Sequence, residues 1–174
     1  QIMAQQPNVA VILLDDAFQH RRVKPGLSIL LTDYHHLFTQ DLPLPAGRLR
    51  EPACGYRRAQ VIVVTKCPPQ LTAAQQQAII TEINPLPHQA IFFSYLTYGN
   101  PHHISHPAQQ TTLNRQTAVL LVCAIANPQP LLQYVQARAG YTETLFFSYH
   151  HYFTPANLEQ TAQKIHQLPA TNKI

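Results

Sequence analysis

"QVIVVTKCPPQLTAAQQQAIITEINPLPHQAIFFS", residues 60–94, contains two apolar runs on either side of a helical pattern. The runs at 60–65 and 89–94 are continuous rather than alternating, which is typical of strands covered on both faces of a parallel sheet. Between them Thr72 is a suitable N-cap, and apolar residues recur at helical spacing as far as Ile83. The stretch therefore predicts a β-α-β unit and an α/β fold.

Two further apolar runs precede this unit, at residues 9–14 and 27–32. Both are continuous, so we expect them to be buried strands of the same parallel sheet. Together with the β-α-β unit they form a first α/β part, which we assign to residues 1–96.

A polar segment containing Gly, Pro and Asn follows at residues 97–116, and we interpret it as a linker with at most one irregular strand. Residues 117–174 form a second, smaller α/β part in the order strand, helix, strand, helix. We expect Asn127 to begin its first helix and Gly140 to end it. Thr154 and Pro155 are suitable first residues for its second helix.

The composition excludes several classes of protein. Hydrophobic residues make up 45% of the 174 residues, which is enough for a real core and argues against disorder. The net charge of +4 comes without a block of Lys or Arg, so nucleic-acid binding is not expected. Cys54, Cys67 and Cys123 include no C-x-x-C pair, which argues against a disulfide framework or a zinc ribbon. The longest apolar run, residues 118–126, is shorter than the roughly 20 residues that a membrane span needs.

Two adjacent carboxylates, Asp15 and Asp16, follow the apolar run at residues 9–14. In an open α/β sheet the ligand crevice lies at the carboxyl ends of the strands. An aspartate at that edge can hold Mg²⁺ against nucleotide phosphates, as Walker B aspartates do. A solvated strand end is the alternative interpretation of this pattern taken alone.

Four motifs occur in a fixed order along the chain. They are "DDAFQHRR" at 15–22, "LPAGRLREP" at 44–52, "AIANP" at 124–128 and "YHHYF" at 149–153. In this order and spacing the chain closely resembles the tetraacyldisaccharide 4'-kinase family, the lipid A 4'-kinases, particularly those of Bacteroidetes-like bacteria. The resemblance covers nearly the whole chain.

The resemblance implies a P-loop kinase that uses ATP and Mg²⁺. Its substrate would be a tetraacylated glucosamine disaccharide 1-phosphate, phosphorylated at the 4'-hydroxyl to give lipid IVA. It also implies a peripheral enzyme at the cytoplasmic face of the inner membrane of a Gram-negative bacterium, with no nucleic acid and no stable protein partner. Residues 1–96 would then be the Walker B-containing part of the nucleotide-binding domain.

The resemblance also implies roles for individual residues. Asp15 and Asp16 would bind the metal, and Glu51 would complete its outer shell. The catalytic residues would be His150, Asp16 and Arg50. The nucleotide would be bound by Asp15, Asp16, Gln19, His20, Arg21, Arg48, Glu51 and Lys66. For Lys66 an ordinary surface lysine after a strand is the alternative interpretation, and the sequence slightly favours it.

The chain departs from the family pattern in three places. No G-x-x-x-x-G-K-S/T motif occurs among the 174 residues. We therefore expect an internal and C-terminal piece of such a kinase, inactive alone, without the phosphate-binding loop, the catalytic aspartate or the N-terminal membrane-associating helix. Cys123 and Ala124 replace the usual Thr/Ser-Gly, and Tyr149 replaces an aspartate.

Two alternatives stay open: a catalytically inactive α/β module that binds nucleotide or lipid, and an unrelated nucleotide-binding domain with a similar strand and aspartate motif.

Overall fold

A computed structural model describes residues 8–169 and 172–174. The chain divides into two compact units, the first ending at Thr97 and the second beginning at Tyr98. The first unit contains β1 (Ile29–Asp33), β2 (Val61–Thr65), α1 (Ala73–Ile83) and β3 (Ala90–Phe93), with short 3-10 helices at Phe38–Gln40 and Ala53–Arg58. The second contains β4 (His102–His103), β5 (His106–Gln110), β6 (Thr117–Cys123), α2 (Gln129–Arg138), β7 (Tyr141–Phe146), α3 (Pro155–Gln167) and β8 (Asn172–Lys173). The predicted α/β class is confirmed.

The first unit is built on a parallel sheet in the order β1-β2-β3. The β-α-β unit predicted from residues 60–94 is confirmed, because α1 connects β2 to β3. Thr72 begins α1 with a capping box, in which Thr72 and Gln75 each bind the other's backbone N–H. The prediction succeeds because the apolar spacing and the cap favour the same helix.

One face of this sheet is covered and the other is open. Ile62 and Val64 of β2 are fully buried against α1, where Ile79 and Ile83 belong to the same core. On the opposite face Leu31 of β1 and Phe92 of β3 are paired in register with Val63, and they are 65% and 55% exposed. This unit therefore presents an apolar sheet face to solvent.

The prediction of a buried strand at residues 9–14 is wrong. These residues belong to no strand, and Val11 and Leu13 are 71% and 90% exposed. A continuous apolar run predicts a strand only where a neighbouring strand is available to pair with it. The edge strands β1 and β3 of the first unit pair only with β2, so the run forms no ladder with this sheet and its apolar side chains stay exposed.

The segment predicted as a linker contains an antiparallel hairpin, β4 with β5, rather than one irregular strand. The remaining three strands of the second unit form a parallel sheet in the order β7-β6-β8. Strand β6 is almost completely buried. The very short β8 was not predicted.

The two helices of the second unit begin close to where they were expected. Helix α3 has the predicted Thr154 cap and Pro155 at its first position, again with a capping box. Helix α2 begins one residue later than predicted, with Pro128 at the cap, although the Asn127 side chain still accepts the Gln129 N–H at 3.2 Å. Within residues 8–169 and 172–174, no helix combines the length and apolar character needed to cross a bilayer.

Candidate active site

Residues 41–51, here called the arginine loop, fold back on themselves through their own backbone. Leu49 donates to the carbonyl of Leu42 at 3.0 Å, and its own carbonyl accepts the Leu44 N–H at 2.9 Å. The Asp41 carboxylate accepts the backbone N–H groups of Leu42 and Arg48 at 2.8 and 3.1 Å. The loop is therefore closed at its base.

Gly47 is required for this closure. A Cβ atom at residue 47 would lie 2.2 Å from the Leu42 carbonyl oxygen and 2.3 Å from the Asp41 carboxylate. No side chain fits at those distances, so glycine allows the two sides of the loop to approach each other. The loop exposes Arg48 and Arg50 to solvent.

An ion pair joins the arginine loop to residues 15–23, here called the aspartate loop. Arg50 Nη1 donates to Asp16 Oδ2 at 2.7 Å, although the two residues are 34 positions apart. Asp16 has a positive φ of 49°, so it turns the chain sharply after the extended run. Both side chains are largely exposed, at 67% for Asp16 and 58% for Arg50. Two of the motifs thus meet at this ion pair, although residues 9–14 form no strand whose carboxyl end could carry Asp15 and Asp16.

Arg58 makes a second connection between the two loops, and the sequence analysis did not identify it. Its Nη2 donates to Glu51 Oε1 at 2.6 Å and to the Phe18 carbonyl at 3.2 Å. Its guanidinium carbon also lies 4.7 Å from the centre of the Phe18 ring. Glu51, expected in the outer shell of a metal, is therefore engaged by Arg58 through one of its two oxygens.

The remaining members of the aspartate loop form a series of turns. The backbone N–H of His20 donates to the Ala17 carbonyl at 2.9 Å, and the backbone N–H of Arg21 donates to the Gln19 carbonyl at 3.0 Å. Asp15, His20 and Arg21 are exposed, and Gln19 is half-buried. The side chains expected to bind nucleotide are thus accessible on one short, turned segment.

Lys66 pairs with Asp33, a residue that the sequence analysis also missed. Lys66 Nζ donates to Asp33 Oδ2 at 2.7 Å, and Asp33 and Lys66 lie at the carboxyl ends of the neighbouring strands β1 and β2. Partial burial acts to raise the pKa of the Asp33 carboxyl. The hydrogen bond from Lys66, the N–H of His35 and the nearby positive charges outweigh that effect and hold this pKa below its usual range. An apolar run ending in Asp at residues 27–33 was a usable signal, the same as that at Asp15.

The candidate residues of the first unit do not form one cluster. Arg58 precedes β2, whereas Lys66 follows it, so these residues belong to opposite ends of that strand. A hollow of about 190 Å³ lies beside Arg48 and is lined also by His36, Gln40 and Asp41. It is smaller than the roughly 300 Å³ at which ligand pockets begin.

The carboxylates suit Mg²⁺ in their chemistry. Mg²⁺ is bound by one or two carboxylates together with phosphates and waters, rather than by a complete protein cage. Asp15 is exposed, and Asp16 uses only Oδ2 for Arg50, so both residues have oxygens free for such a role. No cluster of three or more His, Cys, Asp or Glu side chains able to hold a metal occurs in the part of the chain that the structure describes. Asp15 and Asp16 are carboxylates that could hold the ion there, together with phosphates and waters.

The second unit holds the two adjacent histidines of the "YHHYF" motif in different surroundings. His150 is exposed, has a positive φ of 60°, and its ring lies 3.9 Å from that of Tyr149. His151 is half-buried and stacks on Phe147 with 4.5 Å between ring centres. Its Nε2 lies 2.9 Å from Asn157 Oδ1.

The surroundings of Asn157 fix the proton of His151. Asn157 Oδ1 accepts the backbone N–H of Thr154 at 3.0 Å, and this identifies the atom as the oxygen. The facing His151 Nε2 must therefore carry a hydrogen, which leaves Nδ1 as the basic nitrogen of the neutral ring. His151 is thus the imidazole of this pair whose ring is oriented by a hydrogen bond to Asn157, a distinction that two adjacent histidines in a sequence do not reveal.

Comparison with known proteins gives a consistent family. A family model described as tetraacyldisaccharide-1-P 4'-kinase matches residues 1–173. The chain is 41% identical to the tetraacyldisaccharide 4'-kinase of Bacteroides thetaiotaomicron, covering 98% of this chain and 47% of the relative. It is 42% identical to the enzyme of that name from Parabacteroides distasonis, covering 94% and 46%. The corresponding protein of Flavobacterium johnsoniae is 38% identical, covering 94% and 48%.

The chain spans about half the length of the curated relatives it matches. No solved structure matches it significantly.

Proposed function

Because the chain belongs to the tetraacyldisaccharide-1-P 4'-kinase family, we propose that it contributes to the transfer of the γ-phosphoryl group of ATP to the 4'-hydroxyl of a tetraacyldisaccharide 1-phosphate. The observation that carries the proposal is the meeting of Asp16 and Arg50 at 2.7 Å. A carboxylate able to bind a metal and a guanidinium able to bind phosphate are brought together from two distant motifs.

Each loop has a distinct part in this proposal. Asp15 and Asp16 hold Mg²⁺, which when bound neutralises charge on the phosphates. Arg48 and Arg50 present planar guanidiniums to phosphate oxygens, and Gln19, His20 and Arg21 line the nucleotide side. Glu51 supports the metal's outer shell through the oxygen that Arg58 leaves free. Lys66 would contact the nucleotide only from the opposite end of β2, where it pairs with Asp33.

In the second unit the "YHHYF" motif contributes the imidazole that faces the sugar hydroxyl. His150 is the residue expected from the family resemblance, and its exposure leaves it accessible to a substrate. His151, with its proton fixed by Asn157, is the competing candidate. Separate substitution of each histidine distinguishes them, because general acid-base catalysis needs hydrogen-bond geometry as well as a suitable pKa.

We propose a P-loop NTPase-like sheet for the nucleotide-binding part. Residues 1–96 belong to the nucleotide-binding domain, residues 97–116 connect, and residues 117–174 form the smaller domain. The parallel β1-β2-β3 sheet supports this arrangement, and its open apolar face suits a further covering layer, because parallel sheets are usually covered on both faces.

The substrate determines where such an enzyme works. A disaccharide with four acyl chains resides in a bilayer, so we propose peripheral action at the cytoplasmic face of the inner membrane. The lipid disaccharide 1-phosphate and this membrane surface are the proposed partners, with no nucleic acid and no stable protein partner.

The test is phosphoryl transfer from labelled ATP to the tetraacyldisaccharide 1-phosphate by the protein expressed from its complete open reading frame. A chimera, in which residues 1–174 replace the matched segment of the Bacteroides thetaiotaomicron relative, is assayed in parallel. Lipid phosphorylation that disappears in an Asp16→Ala variant supports the proposal. Nucleotide or lipid binding without transfer in both proteins contradicts it and indicates an inactive binding module.

A further inference from the structure

We propose that Arg58 is a positioning residue that fixes the aspartate loop against the arginine loop. Asp16 and Arg50 then keep the relative position that phosphoryl transfer needs. The inference rests on the proposed function and adds to it a residue outside the family motifs quoted above. Arg58 is the last residue of the 3-10 helix Ala53–Arg58, and β2 begins at Val61. It therefore reaches both loops from a segment next to the sheet.

The contacts of Arg58 reach both loops from one guanidinium. Nη2 donates to the carboxylate of Glu51, at the end of the arginine loop, at 2.6 Å. The same nitrogen donates to the backbone carbonyl of Phe18, in the aspartate loop, at 3.2 Å. The guanidinium also lies over the Phe18 ring, where a cation–π contact adds to the hydrogen bond.

Burial distinguishes this connection from the ion pair of Asp16 and Arg50. The side chains of Arg58 and Glu51 are 35% and 20% exposed, whereas those of Arg50 and Asp16 are 58% and 67% exposed. Solvent weakens an exposed pair, and partial shielding strengthens electrostatic attraction. Phe18 also packs against the core of the first unit. The shielded connection through Arg58 therefore holds the loops together, and the exposed pair remains free to meet ligands.

The local sequence leaves space for this arrangement. A Cβ atom on Gly55 would lie 2.7 Å from Glu51 Oε1 and 3.1 Å from Arg58 Nη1. Any larger residue at position 55 would displace the Glu51 carboxylate from Arg58. Gly55 therefore leaves room for the contact between Glu51 and Arg58.

Arginine suits the position for a geometric reason. A planar guanidinium can donate to two acceptors while its face rests on an aromatic ring, and a lysine ammonium cannot do both. Phosphoryl transfer depends mainly on positioning and charge neutralisation, so small displacements of the loops are costly. Arg58 itself points at Glu51 and Phe18, and it acts through them.

The experiment compares Arg58→Met and Arg58→Lys with wild type in the protein from the complete open reading frame. For Arg58→Met we expect kcat/KM for Mg·ATP to fall by at least about tenfold, with KM for the lipid within about twofold. Arg58→Lys should restore part of the loss, since it keeps the charge opposite Glu51. Hydrogen exchange of the His20 and Val23 amides, which close the turns of the aspartate loop, should accelerate in Arg58→Met.

Two controls separate positioning from stability. Arg57→Met changes the exposed neighbour in the same helix and should leave kinetics and exchange at wild-type values. Val64→Ala destabilises the buried core of the same unit, and it should not reproduce the selective change in kcat/KM for Mg·ATP. In the double variant Glu51→Gln with Arg58→Met, the loss should be smaller than the product of the two single losses, because both changes break the contact between Glu51 and Arg58.

The outcomes for the two proposals are distinguishable. If Arg58→Met behaves like Arg57→Met in both kinetics and exchange, the positioning role is refuted. If the wild-type protein transfers no phosphate but exchange accelerates in Arg58→Met, the proposed function fails and the loop connection stands. If wild type is active and exchange is unchanged in Arg58→Met, the inference is overturned even where activity falls.

Discussion

At the scale of single residues, the ion pair between Asp16 and Arg50 matters for chemistry more than for stability. Exposed ion pairs contribute about 0–1 kcal/mol, because solvent screens the charges and holding two long side chains costs entropy. Both side chains are more than half exposed. The pair therefore keeps two opposite charges available to ligands without committing them to the fold.

Asp16→Ala should separate these two effects. In the protein from the complete open reading frame, phosphoryl transfer should fall on the order of 100-fold, because positioning of the metal's charge is lost. The melting temperature should change by no more than about 2 °C, as expected for an exposed pair. Asp15→Ala should behave similarly. Full activity in both aspartate variants would remove the metal from this loop, and Glu159→Gln, an exposed carboxylate in α3, serves as the control.

The pair of Asp33 and Lys66 predicts a specific dependence of stability on pH. The pKa of Asp33 is lower in the folded state than its usual value of about 3.9. Its stabilising contribution is therefore fully present above about pH 4 and is lost as pH falls through the folded pKa. Asp33→Asn should be less stable than wild type at neutral pH, and the difference should shrink in acid.

Denaturant unfolding of both chains between neutral pH and about pH 2.5 measures this difference. Asp15→Asn, which changes an exposed carboxylate, is the matched control and should follow wild type throughout. A difference between wild type and Asp33→Asn that stays constant below about pH 4 would contradict the assignment.

At the scale of elements, the arginine loop depends on the close approach that Gly47 permits. Gly47→Ala places a methyl group against the Leu42 carbonyl and the Asp41 carboxylate, so the loop must open. We expect a loss of about 1–3 kcal/mol in the free energy of unfolding, which is typical of overpacking. Denaturant unfolding measures it.

Gly26→Ala is the natural control for Gly47→Ala, because an added Cβ at Gly26 meets nothing within 4 Å. That change should be neutral or stabilise slightly by reducing the freedom of the unfolded chain. Equal effects of the two substitutions would show that the loop adjusts without cost.

The beginning of α3 connects a helix cap to the state of a histidine. Asn157→Ala removes the acceptor of the Thr154 N–H and of His151 Nε2, so we expect a loss of about 1 kcal/mol in stability. It should also release the tautomer of His151. Nitrogen NMR of the histidine rings should show Nε2 protonated in wild type and a mixture of tautomers in the variant. An unchanged His151 signal would contradict the hydrogen bond to Asn157.

What could be predicted from the sequence follows from which interactions are local. Helix α1 and strands β2 and β3 were predictable because the apolar spacing and the Thr72 cap lie within one short stretch. The prediction for residues 9–14 failed because an apolar run does not reveal whether a partner strand pairs with it. The hairpin of β4 and β5 was missed because its residues are exposed and show no alternation of apolar side chains.

The candidate site divides in the same way. The motifs identified Asp16 and Arg50, which the structure brings together. Arg58 was missed because its role depends on Phe18, which is 40 positions away and binds through its backbone carbonyl. Every residue has a backbone carbonyl, so the type of residue at position 18 does not reveal that it accepts this hydrogen bond. Asp33 could have been found, since it ends an apolar run as Asp15 does.

At the scale of the whole molecule, each of the two units has its own parallel sheet and its own core. The first unit contains the residues proposed to bind metal and phosphate, and the second contains the two histidines of the "YHHYF" motif. None of the 174 residues forms a G-x-x-x-x-G-K-S/T motif. In P-loop enzymes the backbone N–H groups and the lysine of that motif hold the nucleotide phosphates. Arg48 and Arg50 cannot replace such a cradle, because they are exposed side chains on a loop beside a hollow of about 190 Å³.

We therefore expect the 174-residue chain, purified by itself, to bind Mg·ATP weakly and to transfer no measurable phosphate to the tetraacyldisaccharide 1-phosphate. The same residues should support transfer when they replace the matched segment of the Bacteroides thetaiotaomicron relative, because the other half of that relative is then present. Calorimetric titration with Mg·ATP and a labelled-phosphate assay measure both expectations, and the chimera with Asp16→Ala controls for activity from any other source. Turnover by the isolated chain would show that its arginines bind the phosphates without a glycine-rich loop. An inactive chimera that is folded and binds ATP would instead assign the failure to residues within this chain, with Tyr149, Cys123 and Ala124 as the first positions to revert.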